Sequence, residues 1–428
     1  MDTNFIEHLK KYLSSDDINS LVNELNKEQT YSSIVFDEEK IDKDTLISLY
    51  PSLIPHPIVE NAFLFNKKID ELGKSLLFEI GAFYILEPCS PLVSHFLDLN
   101  ETDLVLDVAA SPGGKSIHTS FIMHNKGQII SNEISYSRAQ VLSSNSEKYG
   151  RKNITVCSSD IFSLSKIFPN TFSKIILDAP CSGSGMFRKE SKMKDDWTYQ
   201  KVLSCAATQK ELILEAYKML LPGGVMMYST CSYSYEEDEE VILYLLENTD
   251  AELVDIPHFE GEYRSSLHQT VHLLPHLFNG EGHYIAKIKK PGKLSYPILL
   301  PYKKKYTLLN NLLEEELFTN KNNEVFLTNH ILDLKGIRIL RNGIKVGTLD
   351  KKLGMVFDHN YSRFKNHLLP QIEVNEKEAK DFIYGLSIPT NYKNGFVIIS
   401  YLSIPFALGK VSNGQIKNHY PKGLRKKI

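Results

Sequence analysis

The chain has 428 residues and a formal net charge of −3. It is too long for one ordinary domain, and its overall charge dictates neither a polyanionic nor a polycationic partner. Apolar residues make up 42%, enough for a sizeable core, yet no uncharged apolar run is long enough to span a membrane, and the opening residues carry early acids without the apolar stretch of a signal peptide. Five cysteines without a CxxC pair argue against a disulfide framework and against a zinc site, and fit free thiols in a reducing cytoplasm.

Residues 1–75 read as a mixed accessory domain, with helical spacing in FIEHLKKYL and DINSLVNEL and a strand in YSSIVF. From 76 to 290 strand-like runs at 104–109, 128–134, 154–160, 174–180 and 224–230 alternate with helix-like stretches Lys115–His124, Ser135–Tyr149 and Lys201–Leu221, the last closed by PGG. This alternation predicts βαβ units and an α/β, Rossmann-like, mostly parallel sheet, which AELVDI and HYIAKIKK are expected to complete. Near 290–305 the basic, proline-bearing KIKKPGKLSYP marks a linker. It opens a region, 291–365, that holds a first C-terminal domain, and 366–428 forms a second, strand-rich module. Asn342-Gly343 and Asn413-Gly414 each separate two strand-like runs, the signature of a hairpin with a type I′ turn.

Two runs concentrate charge. The acids Glu236, Glu237, Asp238, Glu239 and Glu240 read as a solvated face where a helix begins. The tail KNHYPKGLRKKI carries five Lys/Arg and no acid; it is either a solvated face or a surface on which Tyr420 stacks on a base while lysines meet phosphates.

The segment LVLDVAASPGGKS is a strand ending in Asp107, a small-residue loop, then a helix start. Its loop, Ala109, Ala110, Ser111, Pro112, Gly113, Gly114 and Lys115, lets backbone approach a ligand and aims N–H groups at it. A phosphate-binding P-loop needs glycine where Ala109 stands, and the dinucleotide pattern G-x-G-x-x-G is absent. A nucleoside-type cofactor remains. The next strand ends in Glu133, about twenty residues on, where an acid accepts from ribose hydroxyls, and the third ends in Asp160, placed to accept from an adenine amino group. Three strand-end acids without a pyrophosphate-binding pair favour S-adenosylmethionine over a dinucleotide. The alternative is that such acids cap helices.

Cys181, in IILDAPCSGSG, follows the fourth strand, and Cys231, in YSTCSYS, ends the fifth. If those strands are neighbours, both thiols face the cofactor crevice. Cys89, Cys157 and Cys205 read as small buried hydrophobes. A thiol beside a methyl donor fits one chemistry: thiolate addition to C6 of cytosine makes C5 nucleophilic enough to take a methyl group. Asp178, Cys181, Cys231 and Lys115 supply the nucleophile, acid and proton relay that this requires, and a nearby lysine favours the thiolate.

DVAASPGGK, DAPCSGSG and STCSYSYEEDE resemble the signature motifs of the NOL1/NOP2/Sun family of RNA (cytosine-5)-methyltransferases, nearest to its bacterial branch acting on 16S rRNA. The resemblance extends to PHLFNGEGHYIAKI and to the tail, which is similar to that branch's PUA-like RNA-binding module. It implies that Cys231 is the nucleophile and that Cys181 assists product release. It implies further that Asp178 contacts the cytosine while Lys115 orders the site, and that residues 109–115, Glu133, Arg138, Asp160 and Asp178 hold S-adenosylmethionine. No metal is implied. The expected partner is RNA, 16S rRNA or the small ribosomal subunit, met by a cytoplasmic monomer whose N-terminal domain and C-terminal module grip RNA. Departures fall at Ala109 and Ser111 in the loop, at Leu86, Cys89 and Pro91 in YILEPCSPL, and at His272, where the family carries arginine. Three other functions compete: a tRNA cytosine-C5 methyltransferase, a non-catalytic RNA-binding assembly factor, and an exocyclic-nitrogen methyltransferase. The intact Cys181, Cys231, Asp178 and Lys115 weigh against the second, and DAPC lacks the second proline and the aromatic typical of the third.

Overall fold

The architecture is built around a twisted central sheet whose five inner strands run parallel. The computed structural model describes residues 3–189, 191–295, 307–309, 317–332 and 335–428. Helices α1 (Thr3–Leu9) and α2 (Ser15–Leu25) come first. Ser14 caps α2 by accepting from the Asp17 backbone N–H, with Asp16 and Asp17 in the first turn, and Ile18, Leu21 and Leu25 form its buried stripe. Strands β1 (Tyr31–Phe36), β2 (Ala62–Asn66) and β3 (Phe83–Leu86) pair antiparallel with β1 in the middle. This sheet continues past residue 75, because β3 hydrogen-bonds to β1 across the intervening segment.

The central domain follows as β4 (Leu104–Asp107), α3 (Gly114–Ile122), β5 (Gln128–Asn132), α4 (Tyr136–Lys148), β6 (Ile154–Ser158), α5 (Ile161–Ile167), β7 (Phe172–Asp178), α6 (Tyr199–Met219), β8 (Leu220–Thr230), α7 (Glu239–Asn248) and β9 (His283–Lys289). Strand order is Glu252–Val254, β9, β8, β7, β4, β5, β6, then β10 (Arg338–Asn342). The strands β8, β7, β4, β5 and β6 are parallel, and β9 and β10 are antiparallel to their neighbours. The order reverses between β4 and β7, the topological switch point where open α/β sheets bind ligands. Val, Ile and Leu fill both faces of the strands, as a sheet covered by helices on both sides requires.

The two Asn-Gly pairs part company. Asn413 and Gly414 both have positive φ and join the strand Ile404–Ser412 to the strand Gln415–Asn418 in the expected hairpin. The hairpin expected at Asn342-Gly343 does not form. Instead β10 adds to β6, and β11 (Ile344–Asp350) joins a separate five-stranded sheet. The Asn342 amide is buried, exchanging hydrogen bonds with the Leu332 backbone and accepting from Thr155 Oγ1, so it holds a tertiary junction rather than a turn. The linker expected near 290–305 lies largely outside the described residues.

The N-terminal segment splits between two partners. α1 and α2 pack Phe5, Leu9 and Leu21 against Phe187, Trp197 and Tyr233 of the central domain. The β1–β3 sheet shares a core with the C-terminal module: Ile34, Phe36 and Phe63 meet Phe382 and Ile383 of the helix Glu376–Tyr384 and Ile399 and Phe406 of the module's sheet. Among the described residues no helix is long and apolar enough to cross a membrane.

Candidate active site

A cleft of about 430 Å³ opens at the carboxyl ends of β4, β7 and β8, within the range of small-molecule pockets. Its floor is the loop after β4. Val108 N–H donates to the Ile176 carbonyl and Ala110 N–H to the Asn132 carbonyl, tying the loop to both neighbouring strands. From the outside α4 clamps it: Arg138 Nη2 donates to the Ser111 carbonyl (3.1 Å), Ser111 Oγ to the Arg138 carbonyl (3.0 Å), and Asn145 Nδ2 to the Pro112 carbonyl (2.8 Å). A Cβ at Gly114 would run into the Leu86 side chain, so this glycine lets β3 close over the loop.

Asp178 ends β7 and is the hub of the cleft. Its carboxylate accepts from Lys115 Nζ (2.7 Å) and Ser229 Oγ (2.7 Å), and His283 Nε2 stands 3.6 Å away. Burial alone would push the Asp178 pKa up, but Lys115 and His283 outweigh it and hold the group well below the carboxylate range. Lys115 is half-buried, and Asp178 keeps its pKa above the ordinary lysine value against the cost of that burial. Asp107, buried beside Ser116, is pushed up to about 7 by burial.

Strands β7 and β8 are neighbours, and Cys181 Sγ lies 3.0 Å from Cys231 Sγ. The Cys231 side and burial together raise the Cys181 pKa, so Cys181 is held as a thiol. Gly185 N–H donates to the Cys231 carbonyl (2.7 Å), and a Cβ at Gly185 would collide with that carbonyl. Cys89 and Cys157 are buried, with the Cys157 thiol pushed up to about 12 by burial. Cys205 is only half-buried, because it sits on the flank of α6 between the buried Val202 and Ala206 positions.

The acid run is the main correction to the sequence reading. Glu236, Glu237, Asp238 and Glu239 are at most 2% exposed; only Glu240 lies partly in solvent. Each buried acid faces donors. Glu237 accepts from Ser182 N–H (2.7 Å), Ser182 Oγ, Ser232 Oγ (2.6 Å) and Gln209 Nε2 (3.1 Å), stitching the Cys181 loop to the Cys231 loop. Glu236 meets Lys11 and the Tyr199 hydroxyl, Asp238 accepts from Thr230 Oγ1 (2.6 Å), and Glu239 pairs with His272 Nε2 (2.8 Å) and the Ser265 hydroxyl. The acids are buried because five separate segments bring donors to them.

Of the residues singled out from sequence, Asp107, Ala109, Ala110, Ser111, Pro112, Gly114, Lys115, Asp178 and Cys231 line the cleft. Gly113, Glu133, Arg138, Asp160 and Cys181 do not. Cys181 touches Cys231 from behind, and the Glu133 carboxylate lies 3.4 Å from Arg138 Nη2 and accepts from Ser135 N–H. Asp160 caps α5, accepting from Ser163 N–H (2.9 Å) and Ser163 Oγ (2.7 Å), the helix-cap alternative for a strand-end acid. Sequence reasoning missed Ser229, Glu237 and His283, although all three lie within or beside the cysteine and EGHY motifs. YILEPCSPL does border the cleft, through Leu86, Glu87, Pro88 and Ser90.

The family model described as 16S rRNA methyltransferase RsmB/F matches residues 94–289, and the model described as methyltransferase RsmF PUA domain matches 369–426. Ribosomal RNA small subunit methyltransferase F of Vibrio vulnificus is 30% identical over 406 residues, covering 87% of this chain and 86% of that protein. The chain belongs to the RsmB/F methyltransferase family. The enzyme of the same name from Citrobacter koseri is 29% identical over 407 residues, covering 87% and 85%. Among solved structures, a methyltransferase homolog from Pyrococcus horikoshii superposes with a TM-score of 0.60 at 26% identity, over 68% of this chain and 95% of that one. NSun6 from the same organism, solved with SFG, gives a TM-score of 0.63 at 21% identity over 68% and 99%, a likeness of fold. The RsmB/F enzymes are S-adenosylmethionine-dependent, and the backbone loop, the 430 Å³ cleft and the strand-end acids Asp107 and Asp178 of this chain fit such a group.

Proposed function

We propose that the protein methylates C5 of cytosine in 16S rRNA of the small ribosomal subunit through a covalent Cys231–C6 adduct. The observation that carries this reading is the pairing of Cys231 and Cys181 across neighbouring strand ends, 3.0 Å apart, beside the Lys115–Asp178 ion pair. The small-subunit rRNA substrate is supported by the names of the relatives and by the PUA match.

S-adenosylmethionine, when bound over residues 109–115 and toward Glu133, Arg138 and Asp160, supplies an electrophilic methyl group. The protein's own residues do the rest. The flipped base enters the cleft, where ionised Asp178 accepts from its exocyclic amino group and protonated Lys115 offsets the ring's charge as it is attacked. The Cys231 sulfur adds to C6, the electron pair moves to C5, and C5 is methylated. A base then removes the C5 proton; His283 is the imidazole lining the cleft. The C5 electron pair re-forms the ring double bond and expels the thiolate, with the neutral Cys181 thiol as the proton source beside the leaving sulfur.

A monomer in a reducing cytoplasm fits the free thiols and the way the N-terminal helices and the C-terminal module cover their apolar faces within one chain. Cys231→Ala is expected to abolish methyl transfer, whereas Cys181→Ala accumulates a protein–RNA adduct that survives a denaturing gel. Reversed outcomes would exchange the two roles. Bisulfite mapping of total RNA from a strain lacking the protein identifies the nucleotide, and loss of a tRNA site instead would overturn the rRNA assignment.

A further inference from the structure

A second, smaller cavity of about 130 Å³ lies where three parts of the chain meet. Its walls are the turn after β1 (Asp37, Glu39, Lys40), the turns at 124–126 and 150–152 that lead into β5 and β6, and residues 363–366. Those turns stand at the amino ends of the parallel strands. The methyl-transfer cleft opens at their carboxyl ends, on the order of 20 Å away for strands of this length.

The notch is cationic. Lys40, Lys126, Arg151, Lys152, Arg363 and Lys365 line it, against the carboxylates of Asp37 and Glu39. Some of this charge is already committed: Lys126 pairs with Glu101 outside the notch (2.8 Å), Lys40 donates to the Tyr149 carbonyl (2.9 Å), Arg363 to Tyr420 Oη (3.1 Å), and Lys365 to the Glu39 carbonyl. Arg151 differs. It is 3% exposed, Nη2 donates to Asp37 Oδ2 (2.7 Å) and lies 3.6 Å from Glu39 Oε2, and its Nε and Nη1 have no hydrogen-bond partner among the described residues. The guanidinium carbon lies over the Phe121 ring, 5.0 Å from its centroid.

A buried guanidinium with unsatisfied N–H groups is costly, and each of the two free N–H groups can donate to a phosphate oxygen, while Nη2 stays with Asp37. We propose that this notch seats a backbone phosphate of the RNA substrate, on the side of the sheet opposite the methyl-transfer cleft. A phosphodiester is the favoured source of that phosphate because Lys365 on the rim is exposed and bonds to a neutral carbonyl rather than to a carboxylate, so its charge is offered to the adjoining phosphate of a strand, which a lone anion lacks. RNA that reaches notch and cleft together must be folded or assembled; a short single strand meets only the cleft. The inference rests on RNA being the substrate, but not on the chemistry at C5.

The test uses the full chain, a folded small-subunit rRNA fragment and a short oligonucleotide of the methylated sequence, titrated at several salt concentrations. Lys365→Glu, on the exposed rim, is expected to weaken binding of the folded fragment several-fold and to reduce the salt slope by about 1. It should raise KM for that fragment with kcat unchanged and leave the oligonucleotide untouched. In parallel, inorganic phosphate should raise the melting temperature of the wild type more than chloride at equal ionic strength, and Arg151→Gln should remove that increment. Unchanged fragment affinity and slope in Lys365→Glu overturn the proposal. Phosphate stabilisation with unchanged RNA binding makes the notch a free-anion site and also overturns it. A wild type that binds no RNA refutes the functional reading instead, and the phosphate readout then reports on the notch by itself.

Discussion

The acid run at 236–240 and the basic tail at 417–428 each gather charge of one sign, and the fold treats them in opposite ways. Four of the five acids are buried and paired. In the tail the lysines stay outside while the aromatic goes in: Tyr420 is 1% exposed, its hydroxyl set between Arg363 and Glu79, so it does not stack on a base as one reading of the sequence had it. The difference lies in what each run meets. The acids face the nearby Thr230 and Ser232 together with Ser182, Gln209, His272 and Lys11 from segments farther along the chain, which offset the loss of water. Of the tail lysines, Lys426 pairs with Glu79 while remaining half in solvent. A run of like charge is therefore a surface only where the rest of the fold brings it no partners.

Substitutions along the two runs test that contrast, and the largest effect belongs at Glu237. Glu237→Ala removes the acceptor shared by four buried donors, leaving the Ser182 N–H unsatisfied, and frees both cysteine loops; a loss of about 3 kcal/mol in urea unfolding is expected, with methyl transfer falling alongside. A change below about 0.5 kcal/mol would place this acid in solvent after all. Glu236→Gln comes next, at about 1.5 kcal/mol near neutral pH. Burial would raise the Glu236 pKa, but Lys11 and Tyr199 outweigh it and lower it. A lowered acid stabilises the fold above its unfolded value, and that stability is lost as pH falls through the folded one. The melting-temperature gap between wild type and variant should thus be constant from pH 6 to 8 and close below about pH 4.3. A gap that widens in acid reverses the assignment. In the tail, Tyr420→Phe removes one buried hydroxyl from Arg363 and Glu79 and is expected to cost about 1 kcal/mol, leaving the salt dependence of RNA binding as it was; a changed slope would return Tyr420 to the RNA surface. The exposed Lys422 is the small end of the series: Lys422→Gln should shift stability by less than about 0.5 kcal/mol.

Much of the central domain was legible because its signals are local. Continuous apolar runs mark strands buried on both faces, and the small-residue loop between Asp107 and Lys115 announces close backbone approach. Cys181 and Cys231 were readable as a pair once β7 and β8 were taken as neighbours. Ser229, His283 and Glu237 were not, since a serine, a histidine or a glutamate takes meaning only from what stands opposite it. The two Asn-Gly pairs make the same point. Asn413-Gly414 turns a hairpin whose strands lie next to each other in sequence. Asn342-Gly343 has the same local preference, but pairing of β10 with β6 and burial of the Asn342 amide outweigh it.

By itself the sequence determined the parallel order of helices and strands, the cofactor loop and the two thiols, because apolar periodicity and backbone-permissive residues act over a few positions. Only the tertiary structure decided which charges are buried, which chain segments share a core, and where Arg151 points two unpaired nitrogens. Desolvation and partnering depend on distances between residues far apart along the chain, and no local pattern encodes those distances.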